Sequence, residues 1–167
     1  LIQRKNPLLA LSIISEILKK LNFIDFYFVG EGPLNAKVRD MMAKENLIGH
    51  VNFKYIPKMP RIEFLQLIKK VNFILITSLR EVNSLFFLEA LSANKKIIAL
   101  KNSGLIDFNL ENVVLYDSII YDDAKKIADA FCLEIARNTA INTKNIDFIR
   151  DRYHYEKSNL MNLLKKI

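Results

Sequence analysis

Phe73-Ile74-Leu75-Ile76-Thr77-Ser78-Leu79-Arg80-Glu81-Val82-Asn83-Ser84-Leu85-Phe86-Phe87-Leu88-Glu89-Ala90-Leu91 is the stretch on which the reading of this chain turns. Its opening run, Phe73 to Thr77, is continuously apolar, the pattern of a strand buried on both faces. Ser84 is a suitable N-cap, so a helix is expected to start there, with Glu81 in the loop before it and Glu89 one to two turns inside. A helix N-terminus carries about half a positive charge and several unbonded N–H groups, which makes the space between the glutamates a seat for phosphate.

Carboxylates on either side of a phosphate seat suit hydroxyl-rich groups at both ends of a ligand, and a nucleotide sugar has that shape. Two other readings stand beside this one. A hydrolytic pair of carboxyls stands about 5 to 9.5 Å apart, whereas the eight positions from Glu81 to Glu89 would span about 12 Å if all were helical. The blander alternative is two solvated glutamates at a helix start.

The rest of the chain alternates strand and helix patterns around that stretch. Asn6-Pro7 reads as a helix start, cap and first-position proline, followed by an apolar face of Leu8, Leu9, Leu11, Ile14, Ile17, Leu18 and Leu21. Phe26 to Val29 reads as a strand leaving through Gly30-Glu31-Gly32-Pro33, where the glycines permit a sharp turn into a helix bearing Leu34, Val38, Met41 and Met42. His50 to Pro57 holds the next strand, and Pro60 to Lys70 an amphipathic helix with Ile62, Leu65 and Ile68 on one face. Beyond the opening stretch come the strands Ile97 to Leu100 and Val113 to Tyr116. A helix follows from Asp122-Asp123 through Ile135, and 142–167 is a helical tail. This alternation predicts an α/β doubly wound parallel sheet of Rossmann type.

With 167 residues, 51% of them hydrophobic, and only four glycines and four prolines, the chain can bury a core of one domain. It contains no apolar run long enough to span a bilayer and no signal peptide before the first helix, so the cytoplasm is the expected compartment. Cys132 stands alone on a helical pattern, as a buried small hydrophobe does. The formal charge of +7 suits an anionic partner: a diphosphate, or the acidic inner face of a membrane. No aromatic-interleaved basic motif accompanies it, and no nucleic-acid partner is expected.

The chain resembles the retaining glycosyltransferases of the GT-B fold, the large family of bacterial polysaccharide and glycolipid enzymes. Their donor domain carries Glu, seven residues, then Glu-Ala-Met-Ala-x-Gly-x-Pro and a strand. Here Glu81 is followed by seven residues and Glu89-Ala90-Leu91-Ser92-Ala93-Asn94-Lys95-Lys96, then Ile97. Val82 stands where the family has Gly, and Asn94 and Lys96 stand at its Gly and Pro. Asn tolerates the left-handed conformation that ends a helix, whereas a β-branched residue resists it.

The resemblance implies a C-terminal donor-binding domain over 1–167, with an N-terminal acceptor domain and the first sheet strand lying outside this sequence. It also implies roles for single residues. Glu89 would accept hydrogen bonds from ribose, and Glu81 would hold a donor-sugar hydroxyl near the developing oxocarbenium charge as the catalytic residue. Lys5, with the helix start at Asn83, Ser84 and Leu85, would hold the diphosphate. Gly30 and Gly32 form the family's Gly-x-Gly-Pro turn, Tyr55 and Ile56 border the base, and Gly104 lies in a loop that touches the donor. No metal and no cofactor is expected, with a nucleoside-diphosphate sugar as substrate and a sugar or lipid-linked acceptor as partner. The alternatives are a non-catalytic nucleotide-sugar-binding module and a sugar-nucleotide epimerase on the same scaffold.

Overall fold

The computed structural model describes residues 1–80, 84–101, 113–116 and 124–141, with the side chains of the last helix described to Arg137. Its strands are Phe26–Val29 (β1), Phe53–Ile56 (β2), Phe73–Ile76 (β3), Lys96–Leu100 (β4) and Val113–Tyr116 (β5). Its α-helices are Pro7–Leu18 (α1), Asn35–Lys44 (α2), Arg61–Lys70 (α3), Leu85–Ser92 (α4) and Ala124–Ile141 (α5). A 3₁₀ turn, Gln3–Lys5, leads into α1.

All pairings among the described strands are parallel. Phe26 lies opposite Phe53 in one sheet, and Ile74 opposite Ile97 and Ile97 opposite Val113 in the other. Along β4, Ile98 and Leu100 pack with α1 and α5, while Ile97 and Ala99 pack with Phe87 and Ala90 of α4. Successive strand residues face opposite sides, so α1 and α5 cover one face and α4 the other. Helix α2 shares a cluster with α1, and α3 meets α4 through the Phe64 and Phe86 rings, 5.6 Å apart. The result is a parallel α/β domain with helices on both faces, as expected.

The sheet is divided: the described strands run in the orders β2-β1 and β3-β4-β5. Between them lies a cavity of about 730 Å³ lined by all of β1 and β3, with Pro7, Ala10 and Ile14 of α1 on its border and Phe64, Leu67 and Phe86 from α3 and α4. Placed side by side, the two sets follow a doubly wound order in which β1 and β3 flank the central position. Helix α1 bridges them. Ala10, Leu11, Ile14 and Leu18 pack on the β1–β2 side, and Ile13 and Ile17 on the side of β4 and α5. Burying one such side chain contributes about 1.5–3 kcal/mol, and this helix buries both flanks because it serves both halves.

Three local expectations are corrected. Ile13, not Leu8 or Leu9, is a fully buried residue of α1, because the helix is packed from two sides. Ile62 is 71% exposed, since α3 turns Phe64 and Ile68, one helical repeat apart, toward the interior. Asn6 does precede a first-position proline, but its side chain makes no cap bond and its backbone is left-handed, φ 46°. It closes the Gln3–Lys5 turn by donating its N–H to the Gln3 carbonyl, and that duty sets its conformation.

Cys132 is fully buried, as expected, and burial pushes its thiol up to about 11. The helix start at Asp122-Asp123 and the tail 142–167 lie outside the described residues.

Candidate functional site at the carboxyl ends of the strands

In open parallel α/β sheets, ligands bind at the carboxyl ends of the strands, where the order reverses. Here residues 1–6 run along that edge. The Leu1 amino group donates to the Glu31 carbonyl, and Leu34 N–H donates to the Leu1 carbonyl at 3.2 Å. At the other end, Leu79 N–H donates to the Arg4 carbonyl at 2.8 Å. The buried Thr77 hydroxyl, just past β3, lies 3.0 and 3.1 Å from the Lys5 and Asn6 carbonyls. Lys5 is therefore fixed at its backbone to the exit of β3, on the turn that starts α1. Thr77 reads in the sequence only as the end of a strand, because its carbonyl partners lie more than 70 positions away.

The glycine turn joins this edge to β1 and β2. Gly30 has φ +135°, a conformation that side-chain-bearing residues rarely adopt, and its N–H donates to the Ile56 carbonyl at 3.0 Å. Gly32 lies so close to the Leu1 backbone that a Cβ there would collide with it, and its N–H is held by Asn35 Oδ1 at 2.8 Å. Lys5, Gly30, Gly32 and Ile56 are thus linked along one edge. Tyr55, by contrast, turns its ring into the interior, 6.0 Å from the Phe28 ring, and its hydroxyl is buried without a hydrogen-bond partner among the described residues.

Helix α4 starts as its sequence dictates. Ser84 is extended, and its hydroxyl accepts the Phe87 N–H at 3.3 Å. Leu85, at the first helical position, is 70% exposed, while Phe87 is buried beneath it. The helix ends at Ser92 with Ala93 as its C-cap, and Asn94 takes the left-handed conformation, φ 52°. Glu89 lies within α4 with its side chain largely covered, and Arg61 of α3 reaches it with both terminal nitrogens. Nη1 donates to Oε2 at 3.1 Å, and Nη2 pairs with Oε1. Nothing in the local sequence announces this pair, since its members lie 28 positions apart on different helices.

Glu81, Asn83 and Gly104 lie outside the described residues, as does Val82. No group of three or more His, Cys, Asp or Glu residues that could hold a metal ion occurs among the described residues. No helix among them is long and apolar enough to cross a membrane.

A parallel sheet covered on both faces, with a lysine turn, a glycine turn and a helix-borne carboxylate at or near its carboxyl edge, defines a Rossmann-like domain. The chain belongs to the glycosyl transferases of group 1, whose family model matches residues 1–144. Its role is glycosyl transfer, and the Rossmann-like sheet is that of one half of a GT-B fold. No curated protein matches the chain individually.

Proposed function

We propose that this chain is the donor-binding domain of a retaining, metal-independent hexosyltransferase that uses a nucleoside-diphosphate sugar. The observation that carries the reading is Glu89, a carboxylate oriented by a charge-assisted fork on the helix that opens after β3. In this reading Glu89 accepts the ribose hydroxyls. Lys5 and Asn83, with the start of α4 at Ser84 and Leu85, hold the diphosphate, which the positive end of the helix favours. Glu81 holds a sugar hydroxyl beside the developing positive charge. Gly104 belongs to the donor loop, and Ile56 to the base side together with the backbone of Tyr55, whose ring points inward.

A polysaccharide or glycolipid acceptor, presented by a separate acceptor domain, completes the proposal. The +7 charge supports work at an acidic membrane surface on the cytoplasmic side. Donor binding without turnover is then the behaviour expected of residues 1–167 alone.

Titration calorimetry with UDP, GDP, ADP and CMP tests this, repeated with Glu89→Ala. One diphosphate is expected to bind, and the variant to lose roughly 10- to 150-fold in affinity, since hydrogen bonds to a charged group contribute about 1.5–3 kcal/mol. Unchanged binding in Glu89→Ala would remove the ribose assignment. Release of free nucleotide from the sugar donor without an acceptor would favour an epimerase, and binding without transfer by a chain that carries an acceptor domain would favour a non-catalytic module.

A further inference from the structure

Arg61 orients Glu89, but no step of the proposed activity gives it a part in choosing the ligand. It opens α3 immediately after Pro60, with its side chain 58% exposed, whereas the Glu89 side chain it meets is only 16% exposed. Its two terminal nitrogens engage one carboxylate oxygen each, the fork-to-fork geometry that a guanidinium and a carboxylate share. Among the described residues no other group is bonded to either Glu89 oxygen.

A carboxylate offers about four lone-pair sites, and the fork takes one from each oxygen. The remaining site on each oxygen can accept one hydroxyl, so the held carboxylate presents two acceptors at a fixed spacing. A lone glutamate on a helix would sample several rotamers and lose that spacing. A lysine at 61 would supply a point charge without the planar fork, so it would not fix the plane of the carboxylate.

We propose that Arg61 is a positioning residue that sets both oxygens of Glu89 for a vicinal diol, and so makes this site select ribose over 2′-deoxyribose. This rests on the assignment of Glu89 to the ribose. With both oxygens pinned, two hydroxyls are each met by an acceptor. With the fork removed, the carboxylate rotates and meets them no better than one at a time.

The test is the affinity of chain 1–167 for the tightest binder among UDP, GDP and ADP and for its 2′-deoxy counterpart, in the parent, Arg61→Ala, Arg61→Lys and Glu89→Ala. The parent is expected to prefer the ribonucleotide by roughly tenfold or more. Arg61→Ala and Arg61→Lys are each expected to weaken the ribonucleotide by roughly tenfold and to leave the deoxy compound nearly unchanged, which collapses the preference. A merely structural role would lower both affinities together, and that result overturns the proposal. Unchanged ribonucleotide affinity in Arg61→Ala, alongside a clear loss in Glu89→Ala, overturns the role of Arg61 alone. Unchanged affinity in Glu89→Ala, or no binding by the parent, overturns the ribose assignment and this inference with it.

Discussion

Helices α1 and α4 both start beside the exit of β3, yet the two starts are built by different means. Helix α4 is closed by its own sequence, with the Ser84 hydroxyl on the Phe87 N–H. Helix α1 has no side-chain cap. Its first turn is placed from outside, by the Thr77 hydroxyl and by the backbone bond from Leu79 to Arg4. A locally closed start can be recognised from a few residues, whereas an externally placed one depends on partners more than 70 positions away.

The strongest way to break the contrast is to remove the ring that anchors the self-capped helix. Phe87 is 1% exposed and packs with Ile74, Ile76 and Ile97. Phe87→Ala is expected to cost about 3–5 kcal/mol, read from the urea midpoint at unchanged slope. Next comes the external anchor of α1. Thr77→Val keeps the shape but removes the hydroxyl from the Lys5 and Asn6 carbonyls, at a cost of about 1–3 kcal/mol. Faster amide exchange confined to the first turn of α1 would mark the site of the loss.

The smallest effects are expected at the two helix starts themselves. At Ser84, replacement by Ala is expected to cost about 1 kcal/mol, and by Asp almost nothing, because Asp also caps. Position 6 should behave in the opposite way. Asn6→Gly is expected to be neutral or slightly stabilising, and Asn6→Ser to cost about 1 kcal/mol, because what matters there is a left-handed backbone and not a capping oxygen. A matching pattern at both positions in thermal melts would show that the two starts are alike after all.

The same distinction explains what could be read beforehand. The strands were legible because each is a short apolar run, and the parallel α/β class because strand and helix periodicities alternate. Ser84 and Asn94 were legible because a helix end imposes its demands within a few residues. Asn6 was misread because two duties fall on one residue, and the 3₁₀ turn overrides the cap. Ile62 was misread because a helix with apolar residues at 62, 64, 65 and 68 offers more than one candidate face, and contact with Phe86 decides between them. Of the expected site, Lys5, Gly30, Gly32 and Ile56 are brought to one edge. Glu89 gained an unforeseen partner because an ion pair between two helices leaves no periodic trace.

The turn that carries Lys5 also has a consequence for how the carboxyl edge is held. Among the described residues, β1–β2 and β3–β5 share no backbone ladder. What joins them is side-chain packing around α1, with Phe26 and Leu75 touching the clusters of both halves. The strip Leu1 to Asn6 is bonded to Leu34 near one end and to Thr77 and Leu79 near the other. Lys5 lies on that strip, so its backbone position is set jointly by the glycine turn and by the exit of β3.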